Sequence, residues 1–282
     1  MTYFGLMRKG QTLAEKKGLE KTAVKSLLLF ASNLNPTEMY IKLHDEVPED
    51  VKKKFEECLD EYINKGRPVQ YIIGYTYFYG YKILVNDDVL IPRWETEELA
   101  SNILIYYDRY FKGKKVNVLD IGTGSGAIAI ALKGEEPNMT VFASDISEGA
   151  LKVAEENAKL NGLDIFFEKS DMLNDIKTDK PFDIIVSNPP YLMNSEYVQP
   201  IVKDNEPHVA LYGGDDGLKF YRIILRDAKK FLNKDHFMMA FEHGYDKREA
   251  LNTIIKEHYP DAQIFNLKDS AGLDRMTIII KE

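Results

Sequence analysis

The chain has one cysteine in 282 residues, and that scarcity removes several kinds of protein at once. No disulfide can close within it, and a cysteine-built metal centre has no ligands. Cys58 lies in a charged stretch with helical spacing, where it reads as a packing residue rather than a nucleophile. Long apolar runs are also missing. Leu27-Leu28-Leu29-Phe30-Ala31 is typical of the longest, far short of the roughly 20 residues a membrane-spanning helix needs. Arg8 and Lys9 stand near the first residue, but no apolar core of a secretion signal follows them. These shortages predict a cytoplasmic protein with no membrane partner and no metal. A surplus of positive charge is lacking too. Lys and Arg number 37 against 45 Asp and Glu, a formal net charge of −8. Residues 1–85 carry 13 basic and 11 acidic side chains, whereas the remaining 197 carry 24 and 34. Affinity for nucleic acid rests largely on neutralising phosphates, so the acidic second part predicts no direct nucleic-acid binding. No internal repeat or low-complexity segment is visible.

What is present falls into two patterns. Up to Gly66-Arg67-Pro68 the spacing is helical, with apolar residues three and four apart over Leu19 to Leu34 and Val51 to Ile63. Asn35-Pro36-Thr37 marks a break and a new helix start, and Pro48 marks another. Gln70 to Val85, rich in Tyr, Ile and Phe and punctuated by Gly74 and Gly80, predicts a β-hairpin joining two domains. From residue 94 helix and strand alternate. Seven strands are expected: 116–121, 140–144, 165–168, 182–187, 236–242, 262–267 and 275–280. Helices are expected at about 95–111, after the glycines near 126, and at 147–160, 216–231 and 246–257. Such alternation gives a mostly parallel sheet with helices on both faces, its last two strands an antiparallel pair. The predicted organisation is thus α/β with a small helical domain at 1–68, a hairpin link at 69–92 and a sheet domain at 93–282.

Asn188-Pro189-Pro190-Tyr191 is the most informative local motif, since it follows the apolar strand Phe182-Asp183-Ile184-Ile185-Val186. Two prolines can neither continue a helix nor donate to a sheet ladder, so the chain here is stiff and its carbonyls are left over. An amide side chain, bare carbonyls and an aromatic face suit the gripping of a planar –NH2 group. A Pro-rich turn after a strand is the plain alternative.

A second motif, Asp120-Ile121-Gly122-Thr123-Gly124-Ser125-Gly126, joins the first sheet strand to its helix. Glycines here let a ligand approach the backbone at the positive end of a helix. Gly122, Gly124 and Ala127 also satisfy the dinucleotide spacing, so the loop alone does not choose a cofactor. Asp120 bears on the choice, because a carboxylate before the glycines repels a pyrophosphate and welcomes an ammonium. Asp145, about 20 residues on, could hold ribose hydroxyls or could cap the helix starting at Ser147. Asp171, with Met172 or Leu173 beside it, could meet an adenine amino group or could be an ordinary loop residue.

With both motifs in place, Asp120 to Gly126 resembles the first motif of class I S-adenosylmethionine methyltransferases. Ser187 to Tyr191 resembles the fourth motif of those that methylate planar nitrogens. Further segments narrow the match: Arg67-Pro68-Val69-Gln70-Tyr71-Ile72-Ile73-Gly74, Phe78-Tyr79-Gly80, Val89-Leu90-Ile91-Pro92-Arg93, Glu206-Pro207 and Gly213-Gly214-Asp215-Asp216-Gly217-Leu218. Together they resemble the HemK/PrmC family over most of the chain. That resemblance implies a Rossmann-like class I methyltransferase fold. The implied activity is transfer of a methyl group to N5 of the glutamine in the Gly-Gly-Gln motif of peptide chain release factors. It implies S-adenosylmethionine as donor and S-adenosylhomocysteine as product. Asn188, Pro189 and Tyr191 are then catalytic, with Pro190 completing the substrate clamp. Asp120, Gly122, Thr123, Gly124, Ser125, Gly126, Asp145, Asp171, Met172 and Asn188 are expected to face the cofactor.

Two stretches depart from the family pattern: Trp94-Glu95 before Thr96, and Glu242-His243-Gly244-Tyr245-Asp246 after the fifth strand. Arg93 is expected either to help fold the segment over the cofactor or to pair with Glu97 or Glu98. His208 offers a base, or simply a loop imidazole, and Phe78, Tyr79 and Tyr81 a substrate entrance or a core. The rival activity is adenine-N6 methylation of DNA or RNA, disfavoured by the acidic charge. A dinucleotide reductase would give Asp120 and the Asn-Pro-Pro-Tyr motif no role.

Overall fold

The computed structural model describes residues 1–282 and divides into two compact units. The first comprises Met1–Tyr75 and Val198–Asn205, the second Thr76–Tyr197 and Glu206–Glu282. No helix is long and apolar enough to cross a membrane.

The first unit is helical: α1 (Tyr3–Lys16), α2 (Lys21–Ser32), α3 (Pro36–Ile41), α4 (Glu49–Ile63) and α5 (Val69–Ile73). Local chemistry sets several of their ends. The Thr2 hydroxyl accepts from Gly5 N and caps α1. At α3 the Asn35 side chain accepts from Thr37 N and Glu38 N, while Glu38 reaches back to Asn35 N, closing a capping box. The core joins Leu6, Val24, Leu27, Leu28, Phe55 and Cys58, so the single thiol is indeed a packing group, and burial raises its pKa. The helices meet closely at Gly10, where a β-carbon would stand 2.8 Å from Val24 Cγ1. Two expectations change here. The hairpin begins later than Gln70, because Val69–Ile73 forms a helical turn closed by Gly74 at φ +85°. The unit also recruits the short helix Pro200–Lys203 from the loop after the Asn-Pro-Pro-Tyr motif. There Ile201 packs on the helical core and Asn205 Nδ2 donates to Gly66 O at 3.0 Å.

The second unit opens with the hairpin β1 (Tyr75–Phe78) and β2 (Tyr81–Leu84), whose residue Tyr75 is assigned to the first unit. Then follow α6 (Trp94–Tyr110), β3 (Val116–Ile121), α7 (Ala127–Glu135), β4 (Met139–Asp145), α8 (Glu148–Leu160), β5 (Phe166–Lys169) and β6 (Ile184–Ser187). Counting the recruited helix as α9, the rest are α10 (Lys219–Asp227), β7 (Phe237–Glu242), α11 (Arg248–His258), β8 (Gln263–Lys268) and β9 (Asp274–Lys281). The seven sheet strands run in the order β5-β4-β3-β6-β7-β9-β8. The first five are parallel and β8 and β9 form the antiparallel pair that the alternation predicted, while β9 also runs antiparallel to β7. The central strands β6 and β7 are buried along their whole length, which explains why they read as unbroken apolar runs. The hairpin is held on α8: Asn157 donates to Leu84 O and Ser125 O and accepts from Leu84 N, and Asn161 Nδ2 donates to Lys82 O.

Candidate active site

In this strand order the winding direction reverses between β3 and β6. Crevices at such a switch point, outside the carboxyl ends of the strands, are where open α/β sheets bind ligands. Register places both motifs there. Ile121 at the end of β3 pairs with Ser187 at the end of β6, and Ser187 Oγ donates to Ile121 O at 2.7 Å. Gly122 and Asn188 therefore leave the sheet side by side.

The glycine loop is shaped by its own residues. Gly122, Gly124 and Gly126 have φ of +70°, +56° and +81°, a region costly for any residue with a β-carbon. A β-carbon added at Gly122 or Gly124 would meet no protein atom, so this face of the loop is open to a ligand. Gly122 N and Thr123 N donate to Ser144 O, which ties the loop to β4. Asp120 is wholly buried. Its Oδ2 accepts from Thr123 Oγ1 at 2.6 Å, while its Oδ1 has no partner. Desolvation, reinforced by the charge of Asp145, pushes its carboxyl up to about 7 against the opposing pull of the Thr123 hydrogen bond. A buried acceptor left unpaired at the mouth of a helix is costly to keep, and it suits a cationic donor.

Asp145 ends β4. Its Oδ2 accepts from Gly124 N and its Oδ1 from Ser147 N, both at 2.9 Å, and burial raises its pKa. Asp145 is not itself the helix cap. It braces the start of α8, whose N-cap is Ser147, and each oxygen keeps a second lone pair for a hydroxyl. Ser125 and Thr123 are buried in the loop. Asp171 is exposed beyond β5, and Met172 beside it is buried at φ +53°, a left-handed conformation unusual for methionine.

The Asn-Pro-Pro-Tyr loop is held from a distance. Asn188 Nδ2 donates to Thr96 Oγ1 at 3.2 Å, and Thr96 Oγ1 donates to Glu242 Oε2 at 2.6 Å. Tyr191 OH donates to the other oxygen of Glu242 at 3.3 Å. Register explains the meeting: Ser187 pairs with Phe241, so the next residues, Asn188 and Glu242, stand together. The glycine-rich segment lies against the loop's main chain. A β-carbon at Gly213 would stand 2.4 Å from Pro190 O, and one at Gly217 would stand 2.2 Å from Tyr191 O. Gly213 N also donates to Leu192 O. Glu206, buried, accepts from Arg93 Nη2 at 2.5 Å and from Ile91 N at 3.4 Å, which joins two of the family-like segments. Arg93 therefore pairs with Glu206 rather than with Glu97 or Glu98, because the loop returns to it in space.

Other residues singled out in the sequence stand apart from this centre. His208 is exposed and meets Tyr212 edge-on, while Phe78 is core and Tyr81 OH donates to Glu135. The departures are accommodated simply. Trp94 is half exposed at the start of α6. His243 is buried, with Nδ1 donating to Gly244 O and Nε2 2.9 Å from Thr277 Oγ1, and burial lowers its pKa so that it stays neutral. Thr96 and Glu242 were not picked out as site residues in the sequence. The available signal was positional, since Glu242 ends an apolar strand as Asp145 does.

The chain is similar to known proteins over nearly its whole length. Residues 98–210 match the family model described as methyltransferase small domain, and residues 6–74 match the PrmC N-terminal domain. The chain is 37% identical to the release factor glutamine methyltransferase of Bacillus cereus over 98% of each chain. It is 40% identical to that of Streptococcus pneumoniae over 94% of this chain and 93% of the relative. Among solved structures, a methyltransferase from Pyrococcus furiosus shares the fold, with a TM-score of 0.52 at 24% identity, covering 72% of this chain and 89% of its own.

Proposed function

This chain belongs to the release factor glutamine methyltransferase family, and from that premise we propose that it methylates N5 of the glutamine in the Gly-Gly-Gln motif of peptide chain release factors. One observation carries the reading. The Asn-Pro-Pro-Tyr loop and a glycine loop with an unpaired buried carboxylate leave adjacent, paired strand ends.

The residues present fit S-adenosylmethionine. Asp120, with its unpartnered Oδ1, suits the ammonium, and the open faces of Gly122 and Gly124 admit the ligand to the backbone. Thr123, Ser125 and Gly126 complete that loop, Asp145 would take the ribose hydroxyls, and Asp171 with Met172 the adenine. When bound, this cofactor supplies a methyl group on a positively charged sulfur and departs as S-adenosylhomocysteine.

The chain's own part is positioning. A carboxamide nitrogen is a weak nucleophile because its lone pair is shared with the carbonyl. Asn188 Oδ1 and the Pro189 carbonyl accept its two N–H groups, hold the amide plane and draw charge toward nitrogen. Pro190 keeps the loop stiff, and Tyr191 covers the flat face and excludes water. Such alignment and preorganised polarity are worth several orders of magnitude in rate. Burial holds the Tyr191 hydroxyl far above its ordinary pKa, with the Glu242 charge acting the same way, so it stays protonated and is no base. The proton leaves to water after transfer. We assign release-factor recognition to the helical domain at 1–68, the link to 69–92, and methyl transfer to 93–282.

The test is a transfer assay with labelled S-adenosylmethionine, offering a release factor, its Gln→Ala variant in the Gly-Gly-Gln motif, DNA and tRNA. Label is expected on the intact release factor alone. Label on nucleic acid, or label that survives the Gln→Ala change, would overturn the assignment in favour of adenine-N6 chemistry or another residue.

A further inference from the structure

We propose that Thr96 and Glu242 are positioning residues that set which end of the Asn188 amide faces the substrate. This rests on the amide-clamp reading above. An asparagine side chain offers a carbonyl at one end and an NH2 at the other. Only the carbonyl can accept a hydrogen bond from a substrate amide, so a flipped Asn188 would present donors to donors. Nothing in the Asn-Pro-Pro-Tyr sequence prevents that flip.

The surrounding chain does. Ionised Glu242 can only accept. Its Oε1 receives the Tyr191 hydroxyl and its Oε2 the Thr96 hydroxyl, at 3.3 and 2.6 Å. Thr96 has a single proton, already given to Glu242, so its oxygen is left purely as an acceptor. Asn188 must then turn its Nδ2 toward Thr96, 3.2 Å away, which leaves Oδ1 for the substrate. Thr96 is 5% exposed and Glu242 2%, so water does not compete for these bonds. The direction of each bond follows from the one before it, and the origin of the series is the negative charge on Glu242.

Removing that charge removes the constraint. A protonated Glu242 can donate to Thr96, which frees the Thr96 hydroxyl to donate to Asn188 Oδ1, and the amide can turn over. Several groups bear on this titration. Desolvation raises the Glu242 carboxyl to about 7, and Glu95 on α6 acts in the same direction. Opposing them are the Thr96 hydrogen bond, the Arg275 guanidinium on β9 and the Tyr191 hydroxyl. Arg275 is itself paired with buried Asp269, and Tyr221 on α10 donates to the Glu242 main-chain carbonyl at 2.6 Å.

Two measurements on the full chain test this. The first is kcat at saturating methyl donor and the KM for release factor. Thr96→Val is expected to lower kcat roughly 10- to 100-fold, less than the roughly 10²- to 10³-fold cost of removing a preorganised contact outright. The KM should change less than about twofold, since most of a protein interface lies elsewhere. Thr96→Ser, which keeps the hydroxyl, should recover most of the loss. Wild-type kcat should fall as pH drops through about 7, and in Glu242→Gln, which has no titrating proton, that inflection should vanish. The second measurement is the side-chain amide NMR signal of Asn188, identified by its loss in Asn188→Asp. It should shift in Thr96→Val and follow pH in the wild type but not in Glu242→Gln. The proposal is overturned if Thr96→Val keeps wild-type kcat, if the inflection survives in Glu242→Gln, or if the Asn188 signal ignores both changes. A wild-type protein that labels no release factor while its Asn188 signal behaves as expected would overturn the substrate reading and uphold the positioning role.

Discussion

The two loops at the switch point leave paired strand ends but are held in opposite ways. The glycine loop is shaped locally: Thr123 bonds Asp120 three residues back, three glycines take positive φ, and the neighbouring strand supplies Ser144 and Asp145. The amide loop depends on residues far away in the chain. Thr96 lies 92 residues before Asn188, Glu242 lies 51 after Tyr191, and Gly213 and Gly217 press on the loop from a separate segment. A pocket for a common cofactor can be written into a short stretch of backbone. The clamp proposed above needs a surrounding shell, because an asparagine amide by itself permits more than one orientation.

If the loops divide labour in this way, damage to one should spare the other. The largest effect is expected from Asn188→Ala, a roughly 10³-fold loss of kcat, as for deletion of a main preorganised contact. Cofactor affinity, read by titration calorimetry, should stay close to wild type. A parallel collapse of cofactor binding would show that Asn188 serves chiefly the donor side.

Next in size is Gly217→Ala. Its β-carbon would stand 2.2 Å from Tyr191 O at a φ of +72°, so the Asn-Pro-Pro-Tyr loop must move. A displacement near 1 Å can cost about 10²-fold in rate, again without a matching loss of cofactor affinity. An unchanged rate would mean that the glycine-rich segment does not brace the loop.

The smallest and most selective effect concerns Asp120. Its carboxyl titrates near 7 and must be ionised to face an ammonium, so cofactor affinity should weaken as pH falls through about 7. In Asp120→Asn that pH dependence should disappear, with affinity about tenfold below the wild-type plateau, the cost of one partly compensated charge contact. The linkage has a second reading. Because the folded-state pKa is raised, Asp120 contributes full stability below the ordinary aspartate range and loses it as pH rises toward about 7. Thermal melts of the cofactor-free protein against pH, native beside Asp120→Asn, would reveal the difference.

Much of this architecture could be read from the residues in order. Strand runs, the Asn35-Pro36 restart and both motifs declare themselves through periodicity, proline and glycine. The hairpin starts a few residues later than the sequence suggests, because the apolar, aromatic stretch Val69–Ile73 resembles a strand while the chain before it favours one more helical turn. The ion-pair partner of Arg93 differs from the local expectation for a related reason: sequence proximity favours Glu97 and Glu98, whereas the chain folds Glu206 onto it.

The sequence by itself determined the layered sheet and the position of the two loops at strand ends, since these follow from alternation, glycine and proline within a few residues. Tertiary structure alone decided that Val198–Asn205 joins the helical unit and that Glu206 anchors Arg93. It alone brought Thr96 and Glu242 beside Asn188. Strand register and burial bring those groups together, and hydrogen bonds between residues dozens of positions apart leave no local pattern in the chain.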